Sequence, residues 1–88
     1  MRKKLVDKIS DSWEIPREIL SNVQKIVLTG NGMVFIEGFS GIRELLDERI
    51  VVKVKNGLVG IFGKDLCVSE ITEEYIELKG VVKSVEFM

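Results

Sequence analysis

The chain has 88 residues, 45% of them hydrophobic, with thirteen basic and fourteen acidic side chains and a net charge of -1. That length makes one domain with enough apolar material for a core, and the near-balance of charge argues against general nucleic-acid binding, which draws on a basic excess. Histidine is absent and cysteine is single, which removes the usual general base, the imidazole triads, the common zinc sites and any internal disulfide.

The chain opens on a helical pattern. In "MRKKLVDKISDSW", Leu5, Ile9 and Trp13 lie four apart and share one helical face, with Lys3, Lys4, Asp7, Lys8 and Asp11 on the others. Pro16 ends that helix, because the residue before a proline is pushed out of the α region, and "PREIL" starts a second short turn. The expected division is therefore an N-terminal helical segment over residues 1–22 and a β domain over residues 23–88, in one folding unit. Arg2, Lys3 and Lys4 begin like a signal peptide, but Asp7 and Lys8 fall where its apolar stretch belongs. No apolar run approaches the ~20 residues of a membrane-spanning helix. The expectation is a soluble, cytoplasmic chain, with Leu5, Ile9 and Trp13 as partner-contact candidates or, more plainly, as a lid on the sheet.

From Lys25 onwards the period is two. "KIVLT", the turn Gly30, Asn31, Gly32 and "MVFIEG" read as a hairpin. "RIVVKV", a turn at Asn56 and Gly57, and "LVGIFG" read as another. An Asn-Gly pair suits a type I′ turn, in which both central residues need positive φ. "DLCVSEI", "YIELKG" and "VVKSVEF" bring the count to seven or eight short strands, and the fold class to mainly β, a small sandwich or roll with an N-terminal amphipathic helix. Alternation assigns Val27, Phe35, Ile50, Val52, Val59, Ile61, Leu66, Val68, Ile76, Leu78, Val85 and Phe87 to the core. A faint repeat runs strand, glycine, strand in "VFIEGFSGIRELL", "VGIFGKDLCVSEI" and "IELKGVVKSVEF", around Gly38, Gly63 and Gly80.

Nothing in these strands reads as a reaction centre. Asp47 and Glu48, and Glu70, Glu73 and Glu74, sit in turn-like segments and read as solvated loops rather than a carboxylate pair across a cleft. "GFSGI" does not space its glycines as a nucleophile elbow does, and no glycine run precedes a helix to hold phosphate. Cys67, among apolar neighbours, reads as a strand residue filling space. Catalytic, cofactor and metal sites are expected to be absent. Function then falls to contact: a sheet edge, the helix or self-association, with Lys53, Lys55, Lys79 and Lys83 as candidate edge guards.

The order of segments adds a resemblance. A basic helical start, Trp13, Ile15, Pro16 and Ile19, then "KIVLTGN", "VFIEGFSGI", "LVGIFGKDL" and "LKGVVKSVEF" together resemble the YabP/YqfC family of sporulation proteins, its YqfC branch in particular, from about Trp13 to Phe87. That resemblance implies a role in endospore formation, expression in the mother cell and a YqfD-like membrane protein as partner. It implies no catalytic residue. The alternatives are a homo-oligomeric structural protein of the spore envelope or coat, and a small-ligand or nucleic-acid binder on a barrel-like fold.

Overall fold

In the computed structural model, the structure describes residues 23–88. They form six strands: β1 (Lys25–Thr29), β2 (Met33–Glu37), β3 (Phe39–Leu45), β4 (Arg49–Val54), β5 (Gly57–Ile71) and β6 (Tyr75–Phe87). All pair antiparallel in one sheet of order β1-β2-β6-β5-β4-β3. Six strands stand where seven or eight were expected, because β5 and β6 each run unbroken through what the sequence punctuates as two. The expected helix, with Leu5, Ile9 and Trp13, lies outside the described residues.

The two long strands divide the sheet into two leaves. Residues 75–79 of β6 pair with β2 and with residues 67–71 of β5. Residues 57–62 of β5 pair instead with β4 and with residues 84–87 of β6. A β1 leaf thus contains β1, β2, the start of β6 and the end of β5. A β3 leaf contains β3, β4, the start of β5 and the end of β6. Strands that pass from one layer to the other through bulges are how a sheet folds over a core.

The faint glycine repeat marks these crossings. Gly38 leads from β2 into β3, Gly63 lies at the crossing within β5, and Gly80 at the crossing within β6. The requirement differs at each. Gly38 and Gly80 have φ of 89° and 141°, where side chains carry strain. Gly63 is required by proximity: a Cβ built there would lie 1.9 Å from the Val81 carbonyl oxygen. β5 and β6 touch backbone to backbone at this point.

Each leaf carries two apolar rows across its inward face. In the β1 leaf these are Ile26, Ile36, Ile76, Ile71 and Leu28, Val34, Leu78, Val68. In the β3 leaf they are Leu45, Ile50, Ile61, Val85 and Ile42, Val52, Val59, Phe87. The middle residues of all four rows are fully buried, and with Val54 and Leu66 they form one cluster drawn from both leaves. The row ends emerge: Leu28 is 53% exposed, Leu45 57% and Phe87 72%.

Several expected core positions hold and three do not. Ile50, Val52, Val59, Ile61, Leu66, Ile76 and Leu78 are buried, with Val68 and Val85 half-buried. Val27 is exposed, and Phe35 is half-buried on the outer face. The two do pair with each other, so the register is as expected but the face is reversed; Val34 and Ile36 take the inward places. Phe87 points along an inward row but ends it as the last residue of β6, where no further strand covers it.

The turn after β4 also departs from expectation. Val54 pairs with Gly57, so the two loop residues are Lys55 and Asn56, and neither has positive φ. The Asn-Gly pair is therefore not the centre of a type I′ turn. Gly57 does carry a positive φ, of 151°, one residue later, and a side chain there would meet the Met88 carbonyl oxygen at 2.7 Å. Asn31 and Gly32 form a turn as expected, closed by the Gly32 amide donating to the Thr29 carbonyl.

Candidate functional site

The two short hairpins do more than reverse the chain. The Asn31 and Gly32 carbonyls accept from the Val82 and Gly80 amides at 2.7 and 3.2 Å, bracing the bend of β6. The turn between β3 and β4 matches this on the other leaf: the Glu48 and Asp47 carbonyls accept from the Gly63 and Leu66 amides at 3.1 and 2.7 Å, bracing the bend of β5. The Asp47 and Glu48 segment therefore acts through its backbone, with both side chains in solvent. Asp65, between the braced residues, takes a left-handed φ of 54°, which aspartate tolerates better than most side chains.

The outer face of the β1 leaf holds the other acidic cluster. The rings of Phe35 and Tyr75 lie 4.8 Å apart between centroids. Tyr75 is ringed by carboxylates, and its hydroxyl is raised above the ordinary phenol value of 10.0. A hydrogen bond to Glu70 is the main cause, followed by desolvation and then repulsion from Glu70, Glu77 and Glu74. Ser69 donates its hydroxyl to the Glu77 carboxylate at 3.0 Å. Thr72 shapes the turn below, its hydroxyl oxygen accepting from the Glu74 and Tyr75 amides at 3.1 Å each. This is a polar-rimmed aromatic surface on which Glu70 and Glu77 accept from Tyr75 and Ser69.

The outer face of the β3 leaf carries an apolar cluster. The Phe62 ring and the Met88 sulfur lie over Gly60, close enough that a Cβ there would meet Phe62 Cε2 at 2.7 Å and Met88 Sδ at 2.9 Å. Val51, opposite Gly60, is buried beneath them. An aromatic side chain laid over a strand glycine compensates for its missing side chain. Arg49 and Glu44 close this face with an ion pair of 2.8 Å, whose exposure limits it to less than about 1 kcal/mol.

Two expectations about single residues are corrected. Cys67 does not fill space: it is exposed on the outer face opposite Lys79, because Leu66 and Val68 on either side take the inward positions. Of the four lysines expected to guard edges, Lys53 and Lys79 lie on strands paired on both sides and Lys55 lies in a turn; Lys83 alone stands on an open margin. Among the described residues, no three Cys, Asp or Glu side chains gather as metal ligands would, and no helix is long and apolar enough to cross a membrane.

What the domain offers is edges and exposed row ends. β1 and β3 close the sheet on its two sides, and large apolar side chains emerge at both: Val27 and Leu28 on β1, Ile42 and Leu45 on β3, with Leu46 just beyond. The sequence named neither edge, since strand order depends on how β5 and β6 cross and no local pattern encodes that. The cue that was present is the pair of crossing glycines.

These features define a small, bent antiparallel sheet with apolar side chains exposed at both edge strands. The chain belongs to the YabP family, whose model matches residues 21–88. It is also 25% identical over 80 residues to a protein of Bacillus subtilis (strain 168) described as uncharacterized protein YqfC, an alignment covering 91% of this chain and 86% of that one.

Proposed function

We propose that this chain is a non-enzymatic sporulation protein that works by protein contact at the mother-cell face of a membrane complex, with a YqfD-like membrane protein as partner. Membership of the YabP family supports the process. The observation that supports the mechanism is the pattern of exposure: every inward row is buried in its middle and open at an end, so apolar side chains such as Leu45, Leu46 and Phe87 stand in solvent at the sheet margins. Apolar surface of this kind, rimmed by polar residues, marks protein or membrane contact more often than chemistry. Leu5, Ile9 and Trp13 are a second contact surface in this reading, lying against the membrane or the partner.

Co-expression with a YqfD-like protein tests it. Affinity purification of the tagged chain from detergent extract should retain the membrane protein in near-equal amount. Full recovery of the chain without it, at physiological salt, would rule that partner out. The alternative, a homo-oligomeric structural protein of the envelope or coat, draws support from the low net charge and the open edges. It predicts large assemblies in sedimentation of the pure chain.

A further inference from the structure

Four strand segments lie at the margins of the two leaves, and three of them are irregular. β3 shifts register between Phe39 and Gly41 and again between Ile42 and Glu44. The end of β5 shifts between Lys64 and Cys67 and between Val68 and Glu70. The end of β6 passes Lys83 in a bulge, since Phe62 pairs with Ser84 while Gly63 pairs with Val82. Such bulges turn an edge away from any further strand. β1 has none. Its five residues pair one for one with β2, and among the described residues nothing pairs with their other side. It contains no proline, and its one charge, Lys25, is its first residue.

We propose that β1 is a self-pairing edge: a second copy of this chain adds its own β1 antiparallel, about a two-fold axis through Val27, joining the two sheets into one. The side chains select a second copy as the occupant. On the inward face that axis sets Ile26 against the partner's Leu28, and Leu28 against the partner's Ile26, so the open ends of two apolar rows cover each other. On the outer face Val27 meets the partner's Val27, and Lys25 meets the partner's Thr29 instead of the partner's Lys25. No like charges oppose each other, which removes the commonest obstacle to such pairing. The net charge of -1 adds little general repulsion between copies. The interface is isologous and closes at two copies, because each chain offers one regular edge.

This inference does not rest on the membrane-partner reading, and its test uses the purified full chain alone. Sedimentation equilibrium should show reversible association to twice the 10.0 kDa chain mass. Val27→Lys places two lysines opposite each other on the axis. It should weaken the dimer by roughly ten-fold or more and leave the circular dichroism unchanged, since Val27 is 40% exposed. Thr29→Glu sets a carboxylate against each Lys25 and should tighten the dimer several-fold, a result that the two-fold register alone predicts. Amide exchange along β1 should slow as the wild-type chain is concentrated, a readout that stands even if one variant misfolds. A chain that is monomeric at all concentrations overturns the proposal, as does a dimer indifferent to both substitutions or a dimer without concentration-dependent protection of β1.

Discussion

Replacing Gly63 by alanine adds a single methyl group at the point where β5 and β6 cross. That methyl carbon would lie 1.9 Å from the Val81 carbonyl oxygen, 3.0 Å from its carbon and 3.2 Å from Val82 Cα. All three atoms are backbone, so no side chain can swing aside. Gly63 cannot retreat either, because its amide is held by the Glu48 carbonyl at 3.1 Å. Relief requires parting the strands at the Gly63 and Val82 pair and losing the Glu48 bond. Overpacking a rigid site costs about 1–3 kcal/mol, and each hydrogen bond given up adds about 1 kcal/mol. The expected loss is therefore about 3 kcal/mol or more, against a total of about 4–13 kcal/mol for a chain of this length. Urea denaturation followed by circular dichroism should show it directly, and the melting temperature should fall by at least about 12 °C. Gly41→Ala is the control: a Cβ there meets nothing within 4 Å, so its stability should stay within about 0.5 kcal/mol of the parent. A Gly63→Ala protein as stable as Gly41→Ala would refute the crossing as described.

Three further outcomes are expected. Thr72→Ala removes the acceptor for the Glu74 and Tyr75 amides and should cost about 1 kcal/mol in urea denaturation, with the β5–β6 turn loosened in amide exchange. Tyr75 is the single tyrosine, so absorbance of the phenolate reads it alone: it should titrate above 10.0, and Glu70→Ala should bring it down by removing both the hydrogen-bond acceptor that is the first cause of the shift and the neighbouring charge. The sign follows by linkage: a value raised in the folded state contributes stability that is fully present below the ordinary phenol value and lost as pH rises through the raised one. Gly57→Val meets both a positive φ and the Met88 carbonyl oxygen at 2.7 Å, and should destabilise by about 1 kcal/mol or more in the same denaturation assay.

Part of the fold was legible because β4 carries a wet-face marker among its apolar residues. In "RIVVKV", Lys53 marks the wet face and leaves Val52 and Val54 for the core, where both are buried. "KIVLT" and "MVFIE" carry apolar residues on both faces, so period alone cannot choose between Val27 with Phe35 and Ile26 with Ile36, and a slip of one residue exchanges the faces. The choice was made by tertiary packing: the smaller Val34 and Ile36 fit between the leaves, and Phe35 stacks outside on Tyr75. The strand count was overstated for a related reason. Gly63 and Gly80 read as strand ends, as glycine in a strand often does, whereas here each lets a strand continue from one leaf to the next. The edges were not legible at all, since Lys53 and Lys79 look like edge guards until the crossing order places both on strands paired on both sides.

Bending the sheet and guarding its margins are the same event in this fold. The register shifts at Lys64 to Cys67 and at Lys83 let β5 and β6 pass between leaves, and the same shifts spoil the free sides of those strands as templates. β3 has its own shifts and presents side chains more readily than backbone. In the proposed contact role, two places remain available, the regular backbone of β1 and the apolar side chains along β3. Substitutions at Gly63 or Gly80 should abolish function through loss of the fold. Substitutions at Val27 or Leu45, exposed at the margins, should alter association while the fold persists. If Val27 and Leu45 variants lost stability as steeply as Gly63→Ala does, the margins would belong to the core and the separation of contact from folding would fail.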